Sequence, residues 1–446
     1  MRSVFPISRL SALLASLCVA APAFSADLLQ VYRDALVNDA QYSAARATVE
    51  AGREKLPQGR AALLPTVTAT AASTWNDNTY HPDASPVSID HRYNSNSYNL
   101  NLTQPLFRWQ NWVQYDQSKL MVAQSEANFA QASQDLILRV AQAYFDVLYA
   151  TENVKAVRAS KQSIGQQLEQ AKKNFEVGTA TITDSQEAQS RFDLASAQEI
   201  AAVNDLDTKR YALRLIIGKE AGDLNRLRSD AVLQPPEPAN MDKWVEAAER
   251  DSFVVQAQQA AAEVAAKEVE KARAGHLPTL DLVANRGRAR TASGTSDMTS
   301  TDVSNVGLQL TVPLYQGGYV NSKSREAVAN RVAAESALDG ARRTATLNAQ
   351  QAYLGVVNGL AQIRALEAAL VSSTSALESN KLGYDVGVRI NIDVLNAENQ
   401  VYVTKRDLAK ARFDTLLAQL KLKAAVGSLA EADLEKINPL FELAQP

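Results

Sequence analysis

The sequence is short of the residues that do chemistry. Its 446 residues include one cysteine and three histidines, too few to build a disulfide framework or a metal cluster. No glycine-rich phosphate loop is present, and no lysine–serine pair follows glycines, so a nucleotide site is not expected. The net charge of −3 gives no basic excess and argues against nucleic acid as a partner. Past the N-terminus no run of 18 apolar residues occurs, and the mean hydropathy of −0.22 excludes a bundle of membrane helices. Glycine (18) and proline (14) are sparse, whereas alanine occurs 74 times, which is a helical, closely packed composition. An enzyme is not expected, and neither are catalytic, cofactor-binding or metal-binding residues.

The first 26 residues read as a secretory signal peptide. Arg2 and Arg9 precede an apolar run from Leu10 to Ala21, and Ala23-Phe24-Ser25-Ala26 offers cleavage after Ser25 or Ala26. Leu17 stands before Cys18 where a lipid-attachment signal needs a small residue. The exported chain is thus expected to carry no cysteine and no lipid, and to be either soluble or a barrel.

Self-comparison reveals a duplication. Ala143-Tyr144 recurs as Ala352-Tyr353, Val177-Gly178 as Val386-Gly387, Asp184 as Asp393 and Gly218 as Gly427, in one order. Leu64-Pro65-Thr66 and Leu277-Pro278-Thr279 open the second element of each copy. The expected organisation is a first repeat over 27–218, a linker over 219–240, a second repeat over 241–427 and a tail over 428–446.

Each copy follows one plan. An alanine-rich helix (27–60; 241–274) ends at the Leu-Pro turn. A hairpin follows (64–107; 277–315), with strands of period two and polar loops at 76–97 and 291–302. Pro105 and Pro313 are expected to stop the return strands. More than 60 proline-free residues with apolar spacings of three and four then predict a helix on the order of 90 Å long, which requires coiled-coil partners. Val-Gly turns (177–183; 384–392) end these helices, and a second helix returns.

Four strands that alternate Leu, Tyr, Val and Ala against Thr, Asn, Gln and Asp carry the dyad pattern of a membrane barrel. Four cannot close, and an open edge cannot survive in lipid. Copies of the chain are therefore required, with twelve or more strands needed for an open lumen. A soluble β-layer with one wet face is the plainer alternative.

With these landmarks, the chain resembles the TolC-family outer-membrane efflux and type I secretion channels over its whole exported length. The most specific segments are His276 to Leu282, Val312 to Gly318, Phe175 to Asp184 and Gly383 to Ala397. The resemblance implies a mixed, mostly α-helical fold: a homotrimer with a 12-stranded barrel in the outer membrane, continued by a periplasmic helical barrel. It also implies a mixed α/β belt, for which 217–243 and 428–446 are candidates. Such a duct is passive and works with a periplasmic adaptor and an inner-membrane transporter of ABC, RND or MFS type.

By the same resemblance, Tyr384 and Arg389 match gate residues and Thr183 and Asp184 their partners, a set able to form a charge-assisted latch. Asp393 matches an aspartate facing the pore axis, and Asn396 stands where a second aspartate is expected, which halves the charge of the ring. Val177, Gly178, Val386 and Gly387 match the tip at which the adaptor docks. Plainer local roles stand beside these: helix C-capping for the glycines, N-capping for Asp184 and Asp393, and a solvated arginine for Arg389. His81, His91 and His276 carry no special reading. Trp75, Trp109 and Trp112 are either interfacial or, for the latter two, core residues. The alternative function is a barrel-anchored structural or adhesive trimer that transports nothing.

Overall fold

The computed structural model describes residues 27–81, 87–179, 181–228, 230–292 and 297–442. The N-terminal 26 residues, with the signal-peptide reading and Cys18, lie outside them.

The opening helices are not continuous. The stretch 27–60 divides into α1 (Leu28–Asn38), α2 (Ala40–Arg53) and α3 (Lys55–Ala61). Asp39 breaks the first pair: its carboxylate accepts from the Tyr42 amide at 2.7 Å to cap α2 and accepts twice from the Arg139 guanidinium, at 2.8 and 2.9 Å. Pro57 falls in the first turn of α3, where its missing N–H costs nothing.

β1 (Thr66–Tyr80) and β2 (Ile89–Phe107) form the first hairpin. The strands run through much of the segment expected to be a polar loop, because the alternation persists in polar residues such as Asn94 and Asn96. Pro105 does not stop β2. It pairs opposite Asp281 beside a register shift, where a ladder donor is dispensable.

α4 (Trp109–Glu176) and α5 (Ile182–Ile217) make the first long hairpin, and β3 (Arg226–Leu227) follows. The second copy opens with α6 (Met241–Asp251) and α7 (Phe253–Arg273), split at Ser252 rather than continuous. β4 (Thr279–Thr291) and β5 (Thr299–Thr311) again extend into the expected loop, and β5 ends before Pro313. α8 (Tyr319–Asp385) and α9 (Asn391–Ala425) form the second long hairpin, and α10 (Glu431–Ile437) and β6 (Phe441–Glu442) close the chain.

The strands join in the order β1-β2-β4-β5, all antiparallel. One face carries Val67, Leu100, Leu102, Val306, Leu308 and Leu310. The other carries Asn99, Asn101, Thr103, Asn285, Asn305 and Gln309, with Asn285 hydrogen-bonded to Asn101. β1 and β5 are free edges within the protomer.

α4, with 68 residues, and α8, with 67, each extend about 100 Å at about 1.5 Å per residue. α5 and α9 cover only the half towards the Val-Gly turns, and the shorter helices cover the half towards the sheet. Where the halves meet, Tyr144 and Phe145 of α4 pack with Phe413 of α9 and Phe441 of β6. Burial pushes the Tyr144 phenol well above its ordinary pKa, and its hydroxyl donates to the Asn225 carbonyl at 3.0 Å. Together with the β3–β6 pair and α10, this cluster forms a collar around the middle of the rods. α8 is apolar enough by composition to cross a membrane, yet only 11% of its most apolar window is buried within one protomer. Trp109 and Trp112 are exposed rather than packed in a core.

Candidate gate at the helical tip

Both long hairpins reverse at the end furthest from the sheet, through the same turn. Val177 and Val386 are the C-caps of α4 and α8, and Gly178 and Gly387 follow with φ of 78° and 80°. That left-handed backbone favours glycine and lets the next amide reach back: Thr179 donates to the Asn174 carbonyl at 2.8 Å, and Val388 to the Gly383 carbonyl at 2.9 Å. Phe175, Val177, Ile182, Leu382, Val386, Val388 and Ile390 all leave apolar side chains exposed here.

The polar groups of the two turns are placed differently. On the first, Thr181 is the N-cap of α5, so Asp184 occupies the third helical position instead of the cap. The Thr181 amide and hydroxyl donate to the Asp184 carboxylate at 2.9 and 2.8 Å, a capping box three residues earlier than the sequence suggested. Thr183 is exposed beside it. On the second turn Ile390 caps α9 and Asp393 likewise sits at the third position.

Arg389 bends back over Gly383. A Cβ added there would stand 2.7 Å from Arg389 Cγ, so the absent side chain makes room for the arginine. Its guanidinium reaches Asp393 at 3.5 Å. Tyr384 accepts from the Asn174 amide at 3.3 Å, linking the second turn to the first hairpin. Asn396 is exposed one turn beyond Asp393. Within one protomer, then, Arg389 and Asp393 are brought together, while Asp184 is engaged with Thr181 on the other turn.

A further polar tie lies just above the tip. Glu398 of α9, only 4% exposed, accepts from Gln167 Nε2 at 2.8 Å and from the Ser163 hydroxyl. Sequence reasoning missed it. The signal was available: Val394, Val401, Leu408 and Ala411 mark the buried stripe of α9, and Glu398 falls on it where an apolar residue belongs.

The outer membrane efflux protein family model matches residues 31–219 and 244–428, one copy on each repeat. The chain belongs to this family. It is 34% identical to the outer membrane protein TolC of Vibrio cholerae over 423 residues, covering 94% of each chain. It is also 34% identical to the alkaline protease secretion protein AprF of Pseudomonas aeruginosa, covering 94% of this chain and 88% of that one. Among solved structures, the Campylobacter jejuni CmeC outer membrane channel superposes with a TM-score of 0.79 at 17% identity, over 93% of this chain and 89% of that one. The chain is an exit duct of the outer membrane that extends into the periplasm.

Proposed function

We propose that the protein is a homotrimeric, passive duct, closed at its helical tip and opened by a periplasmic adaptor joined to an inner-membrane transporter. The observation that carries the duct reading is the polar face of the sheet. Asn99, Asn101, Asn285 and Asn305 form a continuous hydrophilic surface behind the apolar one, as a water-filled lumen requires. Three sheets closing edge to edge, β5 of one copy on β1 of the next, give twelve strands and leave no open edge in lipid.

The gate follows from the tip. Tyr384 and Arg389 project from one turn and Thr183 and Asp184 from the other, so a contact between the two sets is made between neighbouring copies. Arg389 would then divide its charge between Asp393 in its own chain and Asp184 next door, a latch that must break for passage. The exposed apolar residues at Val177-Gly178 and Val386-Gly387 provide the surface on which an adaptor docks. The cargo class follows from the names of its relatives: AprF is named for protease secretion and the family for efflux, and we assign this duct to protein secretion, efflux or both.

Conductance in a planar bilayer tests this, wild type beside Arg389→Ser. Small, steady steps that enlarge in the variant support a pore gated at the tip. Protein that inserts but conducts nothing overturns the duct.

A further inference from the structure

The apolar column of β4 ends abruptly. Leu280, Leu282 and Ala284 are followed on the same face by Arg286, Arg288 and Arg290, all three exposed. The register places them among their neighbours. Arg286 lies between Leu100 and Ser304, Arg288 between Tyr98 and Asp302, and Arg290 between Asn96 and Ser300. On β5 the change comes at the same row, where Val306 gives way to Ser304. The arginines thus begin where the lipid-facing band stops, on the side away from the helices and level with Tyr98, an aromatic of the kind that marks a membrane interface.

Charge at this site is only partly used. Arg288 pairs with Asp302 at 3.1 Å, whereas no ion pair is formed by Arg286 or Arg290 among the described residues. The other strand carboxylates on this face sit nearer the loops and are engaged, Asp77 with Arg92 and Asp90 with Thr79. Alternate strand residues lie about 7 Å apart, so Arg286 and Arg290 are separated by about 13 Å. A serine flanks each, Ser304 beside Arg286 and Ser300 beside Arg290, and Asn96 lies on the other side of Arg290. Two unpaired guanidinium forks with adjoining hydroxyl and amide groups, at the edge of an apolar band, form a receptor for phosphates on a lipid headgroup.

We propose that Arg286, Arg288 and Arg290 form an outward-facing site for a phosphorylated glycolipid of the outer leaflet, one per protomer, with its acyl chains along Leu100, Leu102 and Val306. The site lies wholly within one chain's sheet, between β2 and β5. It rests on the outer-membrane barrel reading but not on the gate. A free phosphate would satisfy the arginines alone, whereas a lipid would also use the apolar column below them.

Native mass spectrometry of the detergent-purified protein decides it, with bis-phosphorylated lipid A, the same lipid stripped of phosphate, and inorganic phosphate as probes. Wild type is expected to retain the bis-phosphorylated lipid. Arg286→Gln/Arg290→Gln should weaken retention at least tenfold, and Arg286→Lys/Arg290→Lys should restore most of it. Equal binding by wild type and the glutamine variant, or equal binding of the stripped lipid, overturns the site. Displacement of the lipid by millimolar inorganic phosphate would assign the arginines to free phosphate and overturn the lipid reading. Bilayer conductance of the same samples tests the barrel separately: channels with unchanged lipid binding sink only this inference, whereas loss of channels in wild type sinks the reading beneath it.

Discussion

Gln167 on α4 donates a hydrogen bond to Glu398 on α9 at 2.8 Å, tying the two long hairpins together near the tip. Ser163, one turn earlier on α4, donates to the other carboxylate oxygen. A buried carboxylate with two donors is stable only while both hairpins stay in place. Opening by movement of one hairpin against the other must stretch this contact as well as the outermost turn.

Glu398→Ala removes the acceptor and strands both donors, at a cost of about 1.5–3 kcal/mol. Hydrogen exchange should accelerate along the tip half of α9 and of α4 from Ser163 to Gln167. The region around Leu416 and Leu420 should be unchanged. Uniform acceleration along α9, or none, would remove the tie from the opening movement.

Asp393 is predicted to set ion preference with Arg389 as its counterweight. Asp393→Ala should lose roughly half of the cation preference, measured as reversal potential under a salt gradient. Asn396→Asp should increase that preference, because it adds a second carboxylate one turn away. Unchanged reversal potentials in both variants would leave Asp393 with only its place in the first turn of α9.

Gly383→Ala separates gate from fold. The new methyl group would push Arg389 away from Asp393, so conductance should rise, though less than in Arg389→Ser. Alanine within a helix is favoured over glycine by up to about 1 kcal/mol, so the melting temperature should not fall. A wider channel in an equally stable protein is the expected pair of results.

The tie between the α1–α2 break and α4 should be sensitive to acid. The Arg139 guanidinium holds the Asp39 carboxyl below its usual range, and the Tyr42 amide adds to the effect. A depressed folded pKa contributes stability that is complete above the ordinary aspartate range and is lost as pH falls through the folded value. Asp39→Asn keeps a capping oxygen and should therefore cost about 2–3 kcal/mol near neutral pH, from loss of the half-buried ion pair with Arg139. The gap in melting temperature between wild type and variant should shrink below about pH 4. A gap that is constant down to pH 3 would refute the assignment.

The long helices and the hairpins were legible because their periods differ so sharply. Leu136, Val140 and Val147 repeat at helical spacing, and Leu100 and Leu102 alternate as in a strand. What could not be read is what depends on distant partners. Asp39 breaks its helix because Arg139, 100 residues on, draws its carboxylate inward. Thr181 and Asp184 are both good caps, and only the path of the turn decides between them. Pro105 looks like a stop until its pairing with β4 shows a register shift just beyond it, between Pro105 and Phe107 of the same strand. Glu398 resembles any surface glutamate until the register of α9 is counted residue by residue.

The free edges of β1 and β5 also govern how the protein is made. A single copy has 15 residues of backbone unpaired along one edge and 13 along the other, which hydrocarbon would not tolerate. If copies close edge to edge as proposed, each new chain must stay out of the hydrocarbon until partners cover those edges, with Val306, Leu308 and Leu310 exposed. Entry into the membrane becomes a collective event, whose rate should climb steeply, towards the third power of chain concentration, when synthesis is scarce. Cells making too little of the protein would then lose far more ducts than chains.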